Sequence, residues 1–283
     1  NKIIGSADGN IWLAGQNGID IYNPSTGIFK NISIVEHEGK IFQFFINLSI
    51  ATTRDSTLWV ASQTAGILNF SLDGDLLGHY SFKDTSGIIL VANHIHVSRN
   101  DDIWIGFQNG IIGRFRPGEK DPELYHFSPR DNNIKCIFED QDGVLWIGGS
   151  KYLYSLQPQE MIFTLYGSID KNTPVRGKEF VSIAQDNDGN MLFGADNYGV
   201  FTLLPDGSIK RDAYQRFNNQ SLISNNVREV FIDEAGNLWV ISYGAGINYY
   251  SKYRNNFNSY TSLNTGYPGM KDDNVKCFVH DGN

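Results

Sequence analysis

Cysteine is scarce in this chain, with two among 283 residues. Cys136 and Cys277 fall at matching places in IKCIFED and VKCFVHD. Both read as buried small apolar residues rather than redox or metal groups, so thiol usage leaves the compartment open. Basic charge is also short: Lys and Arg number 23 against 31 Asp and Glu, a formal net charge of -8. No basic run occurs. A backbone-phosphate binder needs clustered cations to displace counterions, so no nucleic-acid contact is expected of this segment. No apolar run approaches the ~18–20 residues of a membrane helix, and no membrane contact by this segment is expected. The chain opens directly in repeat sequence, so no signal peptide is expected within it. Catalytic motifs are missing too. There is no G-x-S-x-G, H-E-x-x-H or P-loop, and no G-x-G-x-x-G in a strand–helix setting. The sequence gives no positive evidence for an enzyme, for catalytic residues or for a cofactor.

What the chain does have is tryptophan in one recurring phrase. Trp12, Trp59, Trp104, Trp146 and Trp239 lie in IWLAG, LWVAS, IWIGF, LWIGG and LWVIS, and a sixth copy, MLFGA, carries Leu192 instead. Successive spacings are 47, 45, 42, 46 and 47 residues. A period in the forties built from short apolar strands predicts propeller blades rather than a helical solenoid. Aromatics at 13% and 29 glycines suit many short strands joined by tight turns.

The unit is clearest late in the chain. VREVFID alternates as an inner strand A, Asp233 to Gly236 make the A–B turn, NLWVIS is strand B, GINYY strand C and FNSY (257–260) the outer strand D. The expected fold is all-β, a β-propeller of four-stranded antiparallel blades, with six blades countable. Residues 1–283 read as one propeller domain or most of one, with blades near 1–35, 36–82, 83–127, 128–166, 167–215 and 216–262. Residues 263–283 read as the inner strand of a further blade. A six-membered ring closed by that strand and a seven-membered ring lacking a blade are both open. Matching positions three blades apart lie across such a ring, so Cys136 and Cys277 are beyond the roughly 7 Å Cα separation that a disulfide permits. The chain stops at Asp281-Gly282-Asn283, where another strand is expected, and a longer parent is expected on at least one side.

The D-x-x-G turn recurs at Asp140–Gly143 and Asp186–Gly189, and decays in blades two and three, where Ser56 and Asp101 replace the glycine. These turns lack the alternating ligands and terminal bidentate Glu of a calcium loop, so they read as hairpin turns. Tryptophan in strand B reads as seam packing between blades, not as a ligand platform. Leu192 fills less space, so blade five is expected to pack more loosely or to recruit Phe193 or Phe163.

The A–B turns are stereotyped, whereas the B–C loops differ: GQNG, SQTAG, GFQNG, GGSK, GADNYG and SYGAG. The D–A connections vary as well, notably 166–179 and 217–226. Variable loops on a rigid scaffold are where binding usually sits. The candidate ligand-binding residues are Gln16, Asn17, Gln63, Thr64, Gln108, Asn109, Asp196, Asn197, Tyr198 and Tyr243, with Arg176 and Lys178 from a D–A connection. Amides, hydroxyls and aromatic rings suit a neutral polar ligand such as a sugar. Arg130, Arg176, Lys178 and Arg228 lie at or near the same face as candidates to meet an anionic group. Of six histidines, His94 and His96 alternate on one strand, but no third ligand stands at recognisable spacing, so no metal site is expected.

The phrase D-x-x-G-N-L-W-[IV]-G, a short loop, then G-[IL]-x-x-Y resembles the two-component-regulator propeller repeat. EDQDGVLWIGGSKYLYSL, IDEAGNLWVISYGAGINYY and ADGNIWLAGQNGIDIY match best, and SLISNNVREVFID and DDNVKCFVHD resemble that family's blade-to-blade connections. The resemblance covers nearly the whole chain. It implies the periplasmic sensor region of a Bacteroidetes-type hybrid two-component system, anchored in the inner membrane. There, two seven-bladed propellers and an immunoglobulin-like domain precede a membrane helix, a histidine kinase, a receiver and a DNA-binding domain. It further implies an oligosaccharide ligand, a homodimeric receptor, signal transduction by phosphorelay and transcription regulation of glycan use. The enzymatic domains of such a parent lie outside this segment. Alternatives are a propeller enzyme of the streptogramin-lyase or lactonase kind and a purely structural protein-interaction propeller.

Overall fold

A computed structural model describes residues 2–15, 18–43, 48–116, 119, 121–126, 133–166, 175, 177–218, 220–252, 257–261 and 272–275. They form six four-stranded antiparallel sheets, the blades of an all-β propeller, and one separate two-stranded hairpin. Helical structure among the described residues is a single 3-10 turn, Gln108–Gly110. The chain divides into two compact units, one built on residues 1–134 and one on residues 135–277.

In the first unit, blade one is β1 (Lys2–Gly5), β2 (Ile11–Gly15), β3 (Gly18–Asn23) and β4 (Ile28–Ile32), followed by the hairpin β5 (Ile34–His37) and β6 (Lys40–Gln43). Blade two is β7 (Leu48–Thr52), β8 (Leu58–Ser62), β9 (Gly66–Phe70) and β10 (Leu76–Tyr80). Blade three is β11 (Ala92–Val97), β12 (Ile103–Phe107), β13 (Ile111–Phe115) and β14 (Glu123–His126). In the second unit, blade four is β15 (Ile134–Glu139), β16 (Leu145–Gly149), β17 (Leu153–Gln157) and β18 (Ile162–Tyr166). Blade five is β19 (Phe180–Gln185), β20 (Met191–Ala195), β21 (Gly199–Leu203) and β22 (Ile209–Asp212). Blade six is β23 (Val227–Ile232), β24 (Leu238–Ser242), β25 (Gly246–Tyr250) and β26 (Phe257–Tyr260). The strand-A reading of 275–280 lies largely outside the described residues.

Strands B and C are buried on both faces, so they read as near-continuous apolar runs. Their tryptophans fill seams: Trp12 packs with Ile50 and Leu58 of blade two, and Trp59 with Ile95 and Ile103 of blade three. Trp146 packs with Phe180 and Phe193 of blade five. Each buried indole removes ~150–250 Å² from water, which at roughly 25 cal/mol per Å² stabilises by several kcal/mol before entropy is counted.

Leu192 is 4% exposed and closes the seam toward blade six with Val230, Leu238 and Val240. The neighbouring Phe193 does not take its place, because consecutive strand residues point to opposite faces. Phe193 instead packs against Trp146 of blade four, with ring centroids 5.4 Å apart and planes tilted by 50°. Cys136 is buried, and loss of hydration pushes its thiol up to about 12. It is an inert core group, as expected. Cys277 lies outside the described residues.

All six A–B turns keep one backbone pattern. The first turn residue's carbonyl accepts from the amide three residues on, at 2.9 to 3.1 Å, as in Gly9 to Ser6, Asp101 to Ser98 and Gly143 to Asp140. The fourth residue is left-handed even where glycine is lost: φ is 62° at Ser56 and 63° at Asp101, against 79° at Gly143. The sheet on either side fixes the turn, and the side chain tolerates the strain.

Their side chains divide by unit. Asp140 and Asp233 begin their turns and bond twice over. The Asp140 Oδ1 accepts from the amides of Asp142 and Val144 at 3.0 and 2.9 Å, while Oδ2 accepts from the Trp146 indole at 2.7 Å. Asp233 likewise holds the Asn237 amide at 2.8 Å and the Trp239 indole at 2.9 Å. Blade five, having no tryptophan, offers its Asp186 Oδ2 to the Asn190 side-chain amide at 2.7 Å. In the first unit, Ser6, Thr53 and Ser98 stand in the first position, and their short hydroxyls do not reach the indole. Trp59 donates to Thr57 at 3.2 Å, whereas the buried Trp12 and Trp104 indoles have no hydrogen-bond partner among the described residues.

The hairpin β5–β6 was not foreseen. Its turn, Glu38-Gly39, has φ of 50° and 74°, the positive pair a two-residue hairpin turn requires. Val35 and Phe42 face the core and Phe42 stacks on His79 at 4.1 Å, while Ile34 and Ile41 point outward.

Candidate functional site

Antiparallel order puts the B–C loops and D–A connections at one end of each blade, opposite the A–B turns. The loops are anchored tightly. Gly199, which opens β21, has φ of 86°, and a Cβ there would lie 2.2 Å from the Asp212 carbonyl oxygen, so no larger residue fits. The predicted residues Gln16, Asn17 and Arg176 lie outside the described residues, as does Arg130.

In the first unit Gln63 and Thr64 are engaged through their side chains, and Gln108 and Asn109 through their backbone amides. Gln63 donates through Nε2 to Asn93 Oδ1 at 2.8 Å, and Thr64 donates to the Gln43 carbonyl at 3.3 Å and contacts the Ser62 hydroxyl at 3.2 Å. The Asn109 amide donates to Asn133 Oδ1 at 3.1 Å, and Asn109 itself supplies a left-handed turn residue with φ of 63°. The Gln108 amide donates to the Val91 carbonyl at 3.0 Å. These are the contacts of structural turns.

The second unit is built differently. Lys178, two residues before β19, places its ammonium 3.5 Å from the centre of the Tyr198 ring in the B–C loop of the same blade. Arg228, the second residue of β23, lies over the Tyr243 ring at 4.6 Å in the B–C loop of blade six. Such contacts stabilise by about 0.5–2 kcal/mol. Among the described residues neither cation is ion-paired, whereas Lys135 is engaged by Glu179 at 3.0 Å. Asp196 and the exposed, left-handed Asn197 (φ 63°) complete the blade-five loop, and the Asp196 amide donates to the Glu179 carbonyl at 2.9 Å.

A single dipeptide joins these two loops. The Gly199 amide donates to the Asn225 carbonyl at 3.0 Å, and the Tyr243 amide donates to the Asn226 carbonyl at 2.9 Å. Tyr198 and Tyr243 are therefore attached to adjacent residues of one D–A connection. Farther back on that connection, Phe217 is 95% exposed with φ of 68°, an unusual place for a bulky ring. Of the predicted residues, Lys178, Asp196, Asn197, Tyr198 and Tyr243 are gathered here, with Arg228. Asn225 and Asn226 were missed as ties because their backbone carbonyls, not their side chains, do the holding.

His94 Nδ1 lies 3.4 Å from the Ser49 hydroxyl. Burial, helped by Lys2, pulls the His96 ring down to about 3, so it stays neutral. Among the described residues no group of three His, Cys, Asp or Glu side chains is arranged to hold a metal ion. A shallow depression of about 300 Å³, lined by Phe82, Lys83, Asp121 and Pro122, lies in the first unit.

Comparison with known proteins agrees with the repeat phrase. Residues 128–151, spanning β15 and the Asp140 turn, match the family model described as Two component regulator propeller. No curated protein matches the chain. Among solved structures, the extracellular domain of the hybrid two-component system BT3049 from B. thetaiotaomicron is similar, with 22% identity and a TM-score of 0.73. That match covers 89% of this chain and 33% of the other. The extracellular domain of BT4673 from the same organism shows 20% identity and a TM-score of 0.68, covering 93% and 33%. The chain thus spans about a third of the length of these relatives. A virginiamycin B lyase from Staphylococcus aureus is also similar, at 19% identity and a TM-score of 0.67, covering 92% and 83%. At these identities the likenesses establish the propeller fold. No helix among the described residues is long and apolar enough to cross a membrane.

Proposed function

We propose that this chain is the ligand-sensing propeller of a hybrid two-component sensor histidine kinase, lying outside the cytoplasm and recognising an oligosaccharide through its B–C loops and D–A connections. The observation that carries the reading is the contrast between six A–B turns of one geometry and B–C loops that differ in every blade, with two tyrosines held at the loop end of blades five and six. Tyrosine rings on a rigid sheet give a sugar a stacking face at small entropic cost. The regulator-propeller match at residues 128–151 and the extracellular domains of similar fold support the sensor context. On this reading the segment is periplasmic, beside a second propeller and an immunoglobulin-like domain in a membrane-anchored homodimer, and it signals by phosphorelay without chemistry of its own.

Calorimetry of the chain against a panel of oligosaccharides tests this directly. Saturable binding with the sugar recovered intact is the expected result, and binding of none of them counts against the reading. The fold shared with a streptogramin-type lyase favours a second reading, and turnover of a streptogramin by the purified chain would replace the sensor with that enzyme.

A further inference from the structure

We propose that the loop end of blades five and six is a subsite for an acid-bearing sugar residue, with Lys178 and Arg228 receiving its carboxylate or sulfate and Tyr198 and Tyr243 flanking the ring. This rests on the oligosaccharide reading above and narrows it. Three observations converge. First, the two cations are held over tyrosine faces rather than by carboxylates, so their charge is not cancelled by any described acid. In a chain of net charge -8, two cations without an ion pair among the described residues stand out. Second, the Asn225–Asn226 dipeptide fixes both loops through adjacent carbonyls, which places the two cation–tyrosine pairs on either side of one short bridge. Third, that bridge carries unmet hydrogen-bonding capacity. The Asn226 Oδ1 is buried without a partner among the described residues, and so is the hydroxyl of Ser242, which is 0% exposed and directly precedes Tyr243. A buried polar group left unmatched costs about 1–3 kcal/mol, and sugar hydroxyls are complementary donors.

The carboxylates nearby set the limit of the charge. Glu179 is occupied by Lys135 at 3.0 Å, and Asp196, on the loop of Tyr198, has no ion-pair partner among the described residues. One acid group is therefore accepted, and a second close to Asp196 is repelled. The planar Arg228 guanidinium meets a carboxylate or sulfate through two parallel bonds, whereas Lys178 acts as a point charge.

The test titrates the whole chain at low and at physiological salt with three probes: the neutral galactotetraose, a galactotetraose carrying a single galacturonate at a terminal residue, and a galactotetraose sulfated once at that residue. At least one acidic probe is expected to bind ten-fold or more tighter than the neutral one, with a preference that shrinks as salt rises. Which acid wins distinguishes carboxylate from sulfate. Lys178→Ala and Arg228→Ala should each narrow the ratio of acidic to neutral affinity by about ten-fold, whatever either does to neutral binding, while Arg228→Lys retains part of the preference. Both side chains reach the surface, so unchanged thermal unfolding confirms that the variants are folded. Equal binding of acidic and neutral probes, or a preference that survives the double alanine variant, overturns this inference and leaves the oligosaccharide reading standing. Binding of no probe, followed by none in the wider panel, overturns both.

Discussion

Blades four to six begin each A–B turn with aspartate, whereas blades one to three begin it with serine or threonine and carry an acid or amide two residues later. The displaced group still caps the turn. Asp8 Oδ1 accepts from the Asn10 amide at 3.1 Å and Asp55 Oδ1 from the Thr57 amide at 3.3 Å. What it does not do is reach the indole. Residues 135–277 thus tie turn and seam together through one carboxylate, and residues 1–134 leave two buried indoles unmatched. Blade three compensates from another direction: Arg114 is paired with Asp102 and lies over the Trp104 ring at 5.3 Å. The same repeat has been kept by two distinct arrangements of polar groups, and only in blades four and six does the carboxylate that opens the turn bond the indole directly.

Removing the shared carboxylate should break the contrast. Asp140→Ala is expected to destabilise by about 3 kcal/mol, since it strands a buried indole and two turn amides, while Ser98→Ala costs about 1 kcal/mol. Urea unfolding of both variants checks this, and equal losses would dissolve the distinction. Blade five offers the next largest effect. Leu192→Trp should cost about 2 kcal/mol by overpacking a closed seam, and a gain in melting temperature would mean that space for the ring exists. Transplanting the aspartate runs the comparison in reverse: Ser98→Asp should add about 1 kcal/mol and shift the Trp104 indole proton downfield in the NMR spectrum. Relief of the left-handed Ser56 by Ser56→Gly should stabilise by about 0.5–1 kcal/mol, read from the same unfolding curves.

The smallest effect concerns acid. Burial works to raise the Asp233 carboxyl, but its hydrogen bonds from Trp239 and Asn237 outweigh that and leave it below the ordinary value. Its contribution is therefore complete above about pH 4, the unfolded value, and is lost as pH falls through the lower folded value. Asp233→Asn should flatten that part of the acid unfolding profile, and an unaltered profile would show that the carboxylate contributes nothing there.

The blade grammar was legible because period and turn chemistry are local. Trp146 follows Asp140 and Trp239 follows Asp233 by six residues, and both ends of that contact are written in one phrase. The left-handed Asn109 and Asn197 were also readable as loop positions, though not as turn formers. Less was visible where distant segments meet. Nothing in DNYG or SYGAG announces that Asn225 and Asn226 hold both loops, because backbone carbonyls leave no trace in residue type. The pairing of Lys178 with Tyr198 spans 20 residues and depends on strand register, which a one-residue slip would invert. The β5–β6 hairpin hid because HEGK sits inside what reads as a long connection.

The Asn225–Asn226 bridge also constrains how this part of the molecule can change over generations. The backbone carries the two ties, so exchanging the side chain at 226 leaves both intact, and exchanging that at 225 costs only its bond to the Tyr214 amide at 2.7 Å. An inserted residue is another matter. It displaces one carbonyl by about 3.8 Å relative to the other, so the chain must release either Gly199 or Tyr243. Drift by substitution is open here and drift by length is closed, and the two recognition loops must inherit their spacing together.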